Sequence, residues 1–252
     1  MNKVDLTNTM AIAEISGADS IAAALRYCER NPHVRTLIPT YAHTGTEYGD
    51  FGGIEGNLVF LGRELRERHG VELEPLESLE DPALWRALNG RFGSVLAERY
   101  GAWVPCVGCH LYLHLMRVLL ALRREAPVVI SGEREWHGTA TKPNQMPRAL
   151  DAYSAVLAHA GVELALPVRD VAEKSAIDTL LGERWVGGSP QLECVLSGNY
   201  RGLEGDGAVK EMPAGFFDEF LVPAGKRLLT ALLAGDGDYD AIVADVLREA
   251  RA

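Results

Sequence analysis

Residues 10–30, MAIAEISGADSIAAALRYCER, decide how the chain can fold, because they join a predicted strand to a predicted helix through a short polar loop. MAIAEI (10–15) is an apolar run of strand length that ends at a Ser-Gly turn signal. SIAAALRYCER (20–30) has the apolar spacing of a helix. The loop between them sets small residues at a helix N-terminus, where backbone N–H groups attract phosphate.

The same alternation of strand and helix continues along the chain and predicts a parallel sheet covered on both faces. The fold class expected is therefore α/β, a doubly wound and mostly parallel sheet with a helical C-terminal part. We expect an α/β core over 1–170 and a helical part over 171–252 that carries the last cysteine. Further strands are predicted at 34–42, 127–132 and 162–168, with an edge strand at 71–76, and further helices at 54–70, 81–101, 109–125, 148–161, 224–234 and 239–251.

Length and composition indicate an ordinary globular chain of 252 residues that is 47% hydrophobic. No apolar run approaches the roughly 18 residues of a membrane span, and the N-terminus lacks the apolar core of a secretory signal. A cytoplasmic location without a membrane partner is expected. The net charge of −10 is a poor basis for binding nucleic acid, although residues 101–203 carry 10 acids and 10 bases.

The first candidate motif is the loop itself, Ser16-Gly17-Ala18-Asp19-Ser20. Its place between a strand and a helix is the context that a phosphate-binding loop needs. The chain has no Gly-Lys-Ser/Thr of a Walker loop. The alternative is an ordinary helix cap in which Ser16 or Asp19 satisfies the first N–H groups.

Two more loops follow predicted strands and should face the same crevice, because ligands bind at the carboxyl ends of parallel strands. The second loop is His43-Thr44-Gly45-Thr46-Glu47, whose alternative is a glycine turn with a solvated glutamate. The third is Ser131-Gly132-Glu133-Arg134, in which Arg134 is suited to pair with a phosphate. Downstream, three polar residues are expected to lie outside the core: Lys142, Asn144 and Gln145.

Three of the four cysteines form a candidate metal site. Cys106 and Cys109 form a Cys-x-x-Cys pair just before a predicted helix, and Cys194 follows 85 residues later. Three thiolates leave one iron of a [4Fe–4S] cluster without a protein ligand, whereas a zinc site would need a fourth ligand. Candidates for that ligand are His110 and His114, which share a helix face with Arg117. We expect at least one of these three to meet solvent and Cys28 to be a buried small hydrophobe.

Together these motifs resemble the PP-loop ATP pyrophosphatases, whose loop reads Ser-Gly-Gly-x-Asp-Ser; here it is one residue shorter. The second loop resembles the Asp-Thr-Gly loop of the phosphoadenylyl-sulfate reductases, and the Gly-x-Arg resembles the motif that closes over phosphates in reductases and thiolases. The cysteine order resembles the iron–sulfur tRNA thiolases that make 2-thiocytidine and 2-thiouridine. The resemblance covers roughly residues 10–200.

The resemblance implies an AMP-forming ATPase that adenylates a carbonyl oxygen and replaces it with sulfur. ATP and Mg²⁺ would be held by the first loop, with the second loop (His43, Thr44, Gly45) and Gly132 beside them. Catalytic roles would fall to Asp19, Arg134 and Lys142. The cluster would be held by Cys106, Cys109 and Cys194, with zinc as the alternative metal.

The acidic charge shifts the expected acceptor towards a small molecule or a free nucleobase or nucleoside, with tRNA as the less favoured partner. Sulfide or a sulfur-donor protein would be the second partner, and a homodimer stays open. Two other functions remain: a PP-loop ligase similar to the cyano-deazaguanine synthases with zinc at the cysteines, and a nucleotide-binding redox sensor without turnover.

Overall fold

The computed structural model describes residues 9–136, 142–186, 192–196, 201–202, 205–206 and 212–250. Its centre is a parallel sheet, as the alternation of strands and helices predicts. The strands are β1 (Thr9–Glu14), β2 (Val34–His43), β3 (Glu47–Tyr48), β4 (Glu72–Leu73), β5 (Glu77–Glu80), β6 (Val128–Ile130), β7 (Glu163–Ala165), β8 (Glu193–Cys194), β9 (Arg201–Gly202) and β10 (Gly205–Asp206).

Helices connect these strands and form most of the C-terminal third. Two π-helical turns, Arg86–Gly90 and Phe216–Leu221, adjoin them. The helices are α1 (Ala18–Arg30), α2 (Gly52–His69), α3 (Pro82–Trp85), α4 (Gly93–Tyr100), α5 (Pro105–Arg123), α6 (Pro147–Ala158), α7 (Lys174–Leu181), α8 (Val222–Ala234) and α9 (Tyr239–Glu249), with a short 3₁₀ turn at Pro143–Gln145.

The sheet order is β4-β2-β1-β6-β7. Strand β5 also pairs with β2, at residues 40–43, which follow the residues of β2 that pair with β4. The chain moves from β1 to β2 on one side and later returns to β6 on the other, so the order reverses between β1 and β6. Such a reversal opens a crevice at the carboxyl ends of the two strands. The doubly wound α/β fold is thus confirmed.

Alternate residues of β1 supply two separate hydrophobic cores, one on each face of the sheet. Ile12 packs with buried residues of α5, α6, α8 and α9. Ala11 and Ala13 pack with those of α1, α2 and α7. Residues on both sides of position 170 enter these cores, and the domain boundary there stays a prediction.

Helix α5 is long and apolar enough to cross a membrane by length and composition alone. Two thirds of that window, 67%, is buried inside the protein. Its apolar composition is therefore explained by its place in the core.

Two predicted helices differ from the structure, and one strand was not predicted. Helix α5 begins at Pro105 and not at the predicted Cys109, so Cys106 also lies inside the helix. The helix predicted over 81–101 is divided by a π-helical turn and by Phe92, whose backbone is not helical. Strand β5, ESLE, escaped prediction because it has four residues, of which Leu79 alone is apolar and both end residues are acidic, which gives little strand signal.

Candidate functional site

A cavity of about 710 Å³ lies at the carboxyl ends of β1, β2 and β6. Residues from every predicted motif contribute to its wall. The first loop lines one part, and the three candidate cysteines line another. Of the predicted site residues, those lining the cavity are Ser16, Gly17, Ala18, Asp19, Ser20, Thr44, Cys106, Cys109, Gly132, Arg134, Lys142 and Cys194.

The first loop is folded around the Ser20 hydroxyl, which accepts hydrogen bonds from the backbone N–H groups of Ser16 (2.9 Å) and Gly17 (3.2 Å). The side-chain amide of Asn57 on α2 donates to the Ser16 carbonyl at 3.1 Å. Gly17 is the N-cap of α1 and is extended, and no side chain caps the first turn. The N–H groups of that turn are therefore presented to a ligand, as in phosphate-binding loops.

Gly132 brings the loop after β6 against the first turn of α1. A Cβ atom at position 132 would lie 2.4 Å from the Ser20 amide nitrogen, so only glycine permits this approach. Two residues later, Arg134 Nε lies 3.1 Å from Asp19 Oδ2. Arg134 Nη1 also donates to the Val171 carbonyl at 3.1 Å, which fixes the guanidinium beside the first loop.

Two of the three polar residues expected outside the core, Asn144 and Gln145, are buried, contrary to the sequence prediction. Asn144 is 1% exposed and Gln145 is 8% exposed. The Asn144 amide nitrogen lies 2.9 Å from His110 Nε2, and this contact compensates the burial of a polar side chain. Lys142 is partly exposed in the cavity wall, where burial lowers its pKa and neighbouring Asp19 opposes that shift.

The loop after β2 forms a tight turn held by one carboxylate. Glu47 accepts the backbone N–H groups of Thr44 (2.7 Å) and Thr46 (3.1 Å). Gly45 has φ of 75°, a conformation that favours glycine, and it does not line the cavity. His43 is also absent from the wall, since its Nε2 lies 2.9 Å from Ser78 Oγ on β5.

This turn places the third cysteine. Strand β3 pairs antiparallel with β8, which sets Cys194 opposite Glu47. The Val195 N–H donates to the Thr46 carbonyl at 2.8 Å, and Thr46 Oγ1 lies 3.4 Å from Cys194 Sγ. The second loop thus lies between the two parts of the cavity, next to the first loop and next to the cysteines.

The other two cysteines project from the start of α5. The Trp85 indole N–H donates to Cys109 Sγ at 3.4 Å. Burial raises the pKa of the Cys109 thiol to about 12, and the Trp85 hydrogen bond opposes that rise. Cys106 and Cys194 are close enough to affect the same thiol electrostatically. Cys28 is buried in the opposite core, as predicted.

The donor set fits a group held by three thiolates. Thiols from α5 and β8 line one cavity, and a helix N-terminus favours negative charge. The Trp85 N–H donates to one sulfur, and the Thr46 hydroxyl lies within hydrogen-bond distance of another. Within the described ranges, however, no three His, Cys, Asp or Glu side chains are grouped to hold a metal ion. Binding would require the sulfurs to approach one another and Cys109 to lose its proton.

A largely buried charged cluster adjoins the cavity and contributes Glu133 and His110 to its wall, and the sequence did not reveal it. Glu133 Oε1 lies 2.9 Å from both His110 Nδ1 and His114 Nε2. Burial would raise the pKa of Glu133, but the two imidazoles outweigh this effect and bring it to about 2. His114 is 1% exposed and Arg117 is 2% exposed. The His110 side chain is 25% exposed, so one of the three residues on this helix face is partly exposed, as expected.

Two contributors to the cavity wall, Glu14 and Trp85, were missed at the sequence level, and Thr46 and Glu47 were named in the second loop without their contact to Cys194. Glu14 carried a usable signal, since it is a charged residue at the end of an otherwise apolar strand. Thr46 and Glu47 belong to a loop assigned to nucleotide binding, and their contact with Cys194 depends on pairing across more than 140 residues. Trp85 lies in a helix whose sequence does not indicate a contact with Cys109.

Comparison with known proteins gives a fold and a family. No family model matches the chain. The crystal structure of a 4-thiouridine synthetase–RNA complex with bound ATP superposes with a TM-score of 0.54 at 16% sequence identity. The match covers 95% of this chain but 53% of that one, so the chain spans about half the length of the synthetase. This likeness shows that the two share an α/β fold.

An uncharacterized protein of Methanocaldococcus jannaschii, MJ0009, is 37% identical over 238 residues. The alignment covers 93% of this chain and 84% of the relative. Identity at this level over nearly the whole length reflects common descent. The chain therefore belongs to the same protein family as MJ0009.

Proposed function

We propose that the protein is an ATP-dependent sulfur-transfer enzyme of the PP-loop type. It adenylates a carbonyl oxygen of its acceptor and replaces that oxygen with sulfur, delivered through a [4Fe–4S] cluster on Cys106, Cys109 and Cys194. The observation that carries this proposal is that one cavity is lined both by the first loop and by the three cysteines. A nucleotide and a sulfur-bearing group would then meet across a single space.

The nucleotide part of the proposal rests on the first turn of α1. Its uncapped N–H groups would bind the phosphates of ATP with Mg²⁺. Arg134 and Lys142 stand beside the same turn and would neutralise charge that develops on the departing pyrophosphate. On phosphate binding, Arg134 would divide its hydrogen bonds between Asp19 and the nucleotide.

The chemistry requires two displacements. The acceptor's carbonyl oxygen attacks the α-phosphorus of ATP, the bond to the β-phosphate oxygen breaks, and pyrophosphate leaves with its electron pair. A sulfur nucleophile then attacks the activated carbon, the carbon–oxygen bond breaks, and AMP leaves with that oxygen. The bound cluster would supply an iron without a protein ligand, at which sulfide can be held. Sulfide or a sulfur-donor protein is the source.

The acceptor we favour is a small molecule, nucleobase or nucleoside. The chain is acidic overall, and residues 101–203 are only balanced, with 10 acids and 10 bases. Phosphate contacts from Lys and Arg supply most of the affinity for tRNA, so these counts favour an uncharged acceptor.

Anaerobic reconstitution followed by iron, sulfide and zinc analysis tests the cluster. We expect brown protein whose iron is lost when Cys106, Cys109 or Cys194 becomes Ala. Cys28→Ala is the matched control, because Cys28 lies in the opposite core, and it should retain iron. Colourless protein with stoichiometric zinc would contradict the proposal and favour the ligase alternative.

Nucleotide chemistry is tested separately by following AMP and pyrophosphate. Arg134→Met should reduce their formation by about 10²-fold, since it removes a charge aimed at the phosphates. The matched control is Arg123→Met at the exposed end of α5. Hydrolysis to ADP, or ATP binding without turnover, would exclude an AMP-forming reaction.

A further inference from the structure

Helix α5 presents a line of side chains to the cavity that extends well beyond the cysteines. Cys109 and Leu113 belong to this line, and Arg117 stands at its far end. Arg117 is 2% exposed, which makes it one of the largest fully buried side chains. Its Nε donates to Thr40 Oγ1 at 2.9 Å and its Nη1 donates to the Leu113 carbonyl at 2.8 Å, so the guanidinium is fixed in place.

No carboxylate among the described residues forms an ion pair with Arg117 within 4.0 Å. This is unusual, because buried charges in proteins are normally paired. Burial lowers the pKa of Arg117, and the two carboxylates that oppose this most are Glu14 and Glu133. The carboxylates of Glu14 and Glu133 are therefore near the Arg117 guanidinium, but neither forms an ion pair with it.

Glu133 is already occupied by other partners. One of its oxygens meets both His110 and His114, and the whole side chain is 2% exposed. Glu14 differs, since it ends β1 and is partly exposed in the cavity wall. Its one hydrogen bond in the described structure comes from the Ser131 hydroxyl to Oε2 at 2.5 Å. Glu14 and Arg117 thus offer an acceptor and a donor to the same space.

A ligand for this space must satisfy both groups. A phosphate or carboxylate would suit Arg117 but would be repelled by Glu14, and an amine would meet the reverse problem. A cis-amide edge carries a carbonyl oxygen and an N–H side by side and adds no charge. It can accept from the guanidinium and donate to the carboxylate at once.

We propose that Glu14 and Arg117 recognise the lactam edge of the acceptor, with its carbonyl oxygen towards Arg117 and its N–H towards Glu14. The substrate class is then a neutral ring lactam, such as a pyridone or pyrimidinone. The identification of this ligand as the acceptor rests on the proposed function. Lactam binding itself depends only on the two residues and the cavity.

The first test needs no variant. Binding of 2-pyridone and of uracil is measured by ligand-observed NMR and calorimetry, and compared with 1-methyl-2-pyridone and 1,3-dimethyluracil, which lack the N–H. We expect each lactam to bind at least about tenfold more tightly than its methylated partner, because the methylated ring leaves the Glu14 carboxylate unpaired. Equal binding of the two forms, or no binding of either lactam, overturns the proposal.

The second test assigns the residues. Glu14→Gln should weaken uracil binding by about tenfold and leave the weak binding of 1,3-dimethyluracil unchanged, because that ring has no N–H to donate. Arg117→Met should weaken the binding of both uracil and 1,3-dimethyluracil, since both compounds keep their carbonyl groups. Matched controls are Glu72→Gln, on an exposed position of β4, and Arg123→Met; neither should alter binding.

Arg117 is buried, so circular dichroism and thermal melting accompany every variant. If Arg117→Met does not fold, Arg117→Lys keeps the charge but loses the fixed pair of hydrogen bonds, and it should still weaken uracil binding about fivefold. Wild-type affinity in folded Glu14→Gln and Arg117→Lys variants would refute the assignment.

Iron content and AMP formation are measured on the same preparations. Lactam binding as described, without iron or AMP, would remove the proposed function and leave this inference intact. Bound iron and AMP formation without lactam binding would overturn this inference and leave the proposed function intact.

Discussion

At the residue scale, the candidate site depends on close approaches that tolerate little change. Gly132 touches the first turn of α1, and Glu133 next to it is enclosed by two imidazoles. Gly132 thus sets the distance between the loop after β6 and the first turn of α1. Glu133 next to it carries a negative charge held between two imidazoles. Substitutions at these positions should have different effects, because one acts through volume and the other through charge.

Gly132→Ala should lower both stability and ATP affinity. The new Cβ would lie 2.4 Å from the Ser20 nitrogen and 2.5 Å from its Cα, and backbone atoms can only yield if the first turn of α1 shifts. We expect a loss of about 1–3 kcal/mol in the free energy of unfolding, measured in urea. The control is Gly62→Ala, because Gly62 lies inside α2 and a Cβ atom there would contact only the Leu73 side chain, at 3.4 Å. This substitution should be neutral or slightly stabilising. Unchanged ATP affinity in Gly132→Ala would show that the first turn does not hold the nucleotide.

Glu133→Gln should reduce stability in a pH-dependent way. The pKa of Glu133 is about 2 in the folded chain against an ordinary 4.5, so the carboxylate contributes stability above pH 4.5 and loses it as the pH falls towards 2. We expect Glu133→Gln to cost about 1–3 kcal/mol near pH 6 and less near pH 3. Urea unfolding at both pH values measures the difference, with Glu72→Gln as control. A cost that grows on acidification would reverse the sign and contradict this account.

At the element scale, boundaries were predictable where a residue of special geometry marks them. The helix predicted over 81–101 starts at an Asp-Pro pair, and Asp81 is the N-cap of α3 with Pro82 at its first position. Gly70 ends α2 in a left-handed conformation, also as predicted. The start of α5 was predicted at Cys109, four residues too late, although Pro105 is itself a helix-start signal. The pairing of β3 with β8 was not predictable, since both strands have two residues and depend on a distant partner.

Asp81 connects three elements, so removing its side chain should cost more unfolding free energy than removing a residue that only caps one helix. Its Oδ1 accepts the Leu84 N–H at 3.0 Å, its own N–H donates to the Tyr112 hydroxyl at 2.9 Å, and Tyr239 donates to Oδ2 at 3.2 Å. We expect Asp81→Ala to cost about 2 kcal/mol of unfolding free energy. The matched cap Asp238 is exposed and serves only α9, so Asp238→Ala should cost about 1 kcal/mol or less. Equal costs would mean that the tyrosine contact adds nothing.

At the scale of the whole molecule, the sequence sufficed for the fold but not for the function of each loop. Apolar strands such as β1, β2 and β6 specify a two-sided sheet because they have no polar face to expose. The reversal beside β1 then determines where a ligand site forms. Which side chains fill that site depends on the tertiary path, which buries Arg117 and turns His43 away.

For the proposed function, net charge is the molecular property that favours a small acceptor over tRNA. The chain carries 35 acids against 25 bases, so a large RNA meets net repulsion, whereas an uncharged ring in the cavity does not. We expect tRNA binding, measured by filter retention across a salt series, to be no tighter than the non-specific range of about 10⁻⁴ to 10⁻⁶ M at physiological salt. Calorimetry with Mg²⁺·ATP in the same buffers is the control, because the contacts of a nucleotide inside the cavity would be screened less than phosphate contacts on the surface. Tight tRNA binding that survives physiological salt would show that the positive charges, although outnumbered, are gathered on one surface, and it would make tRNA the acceptor.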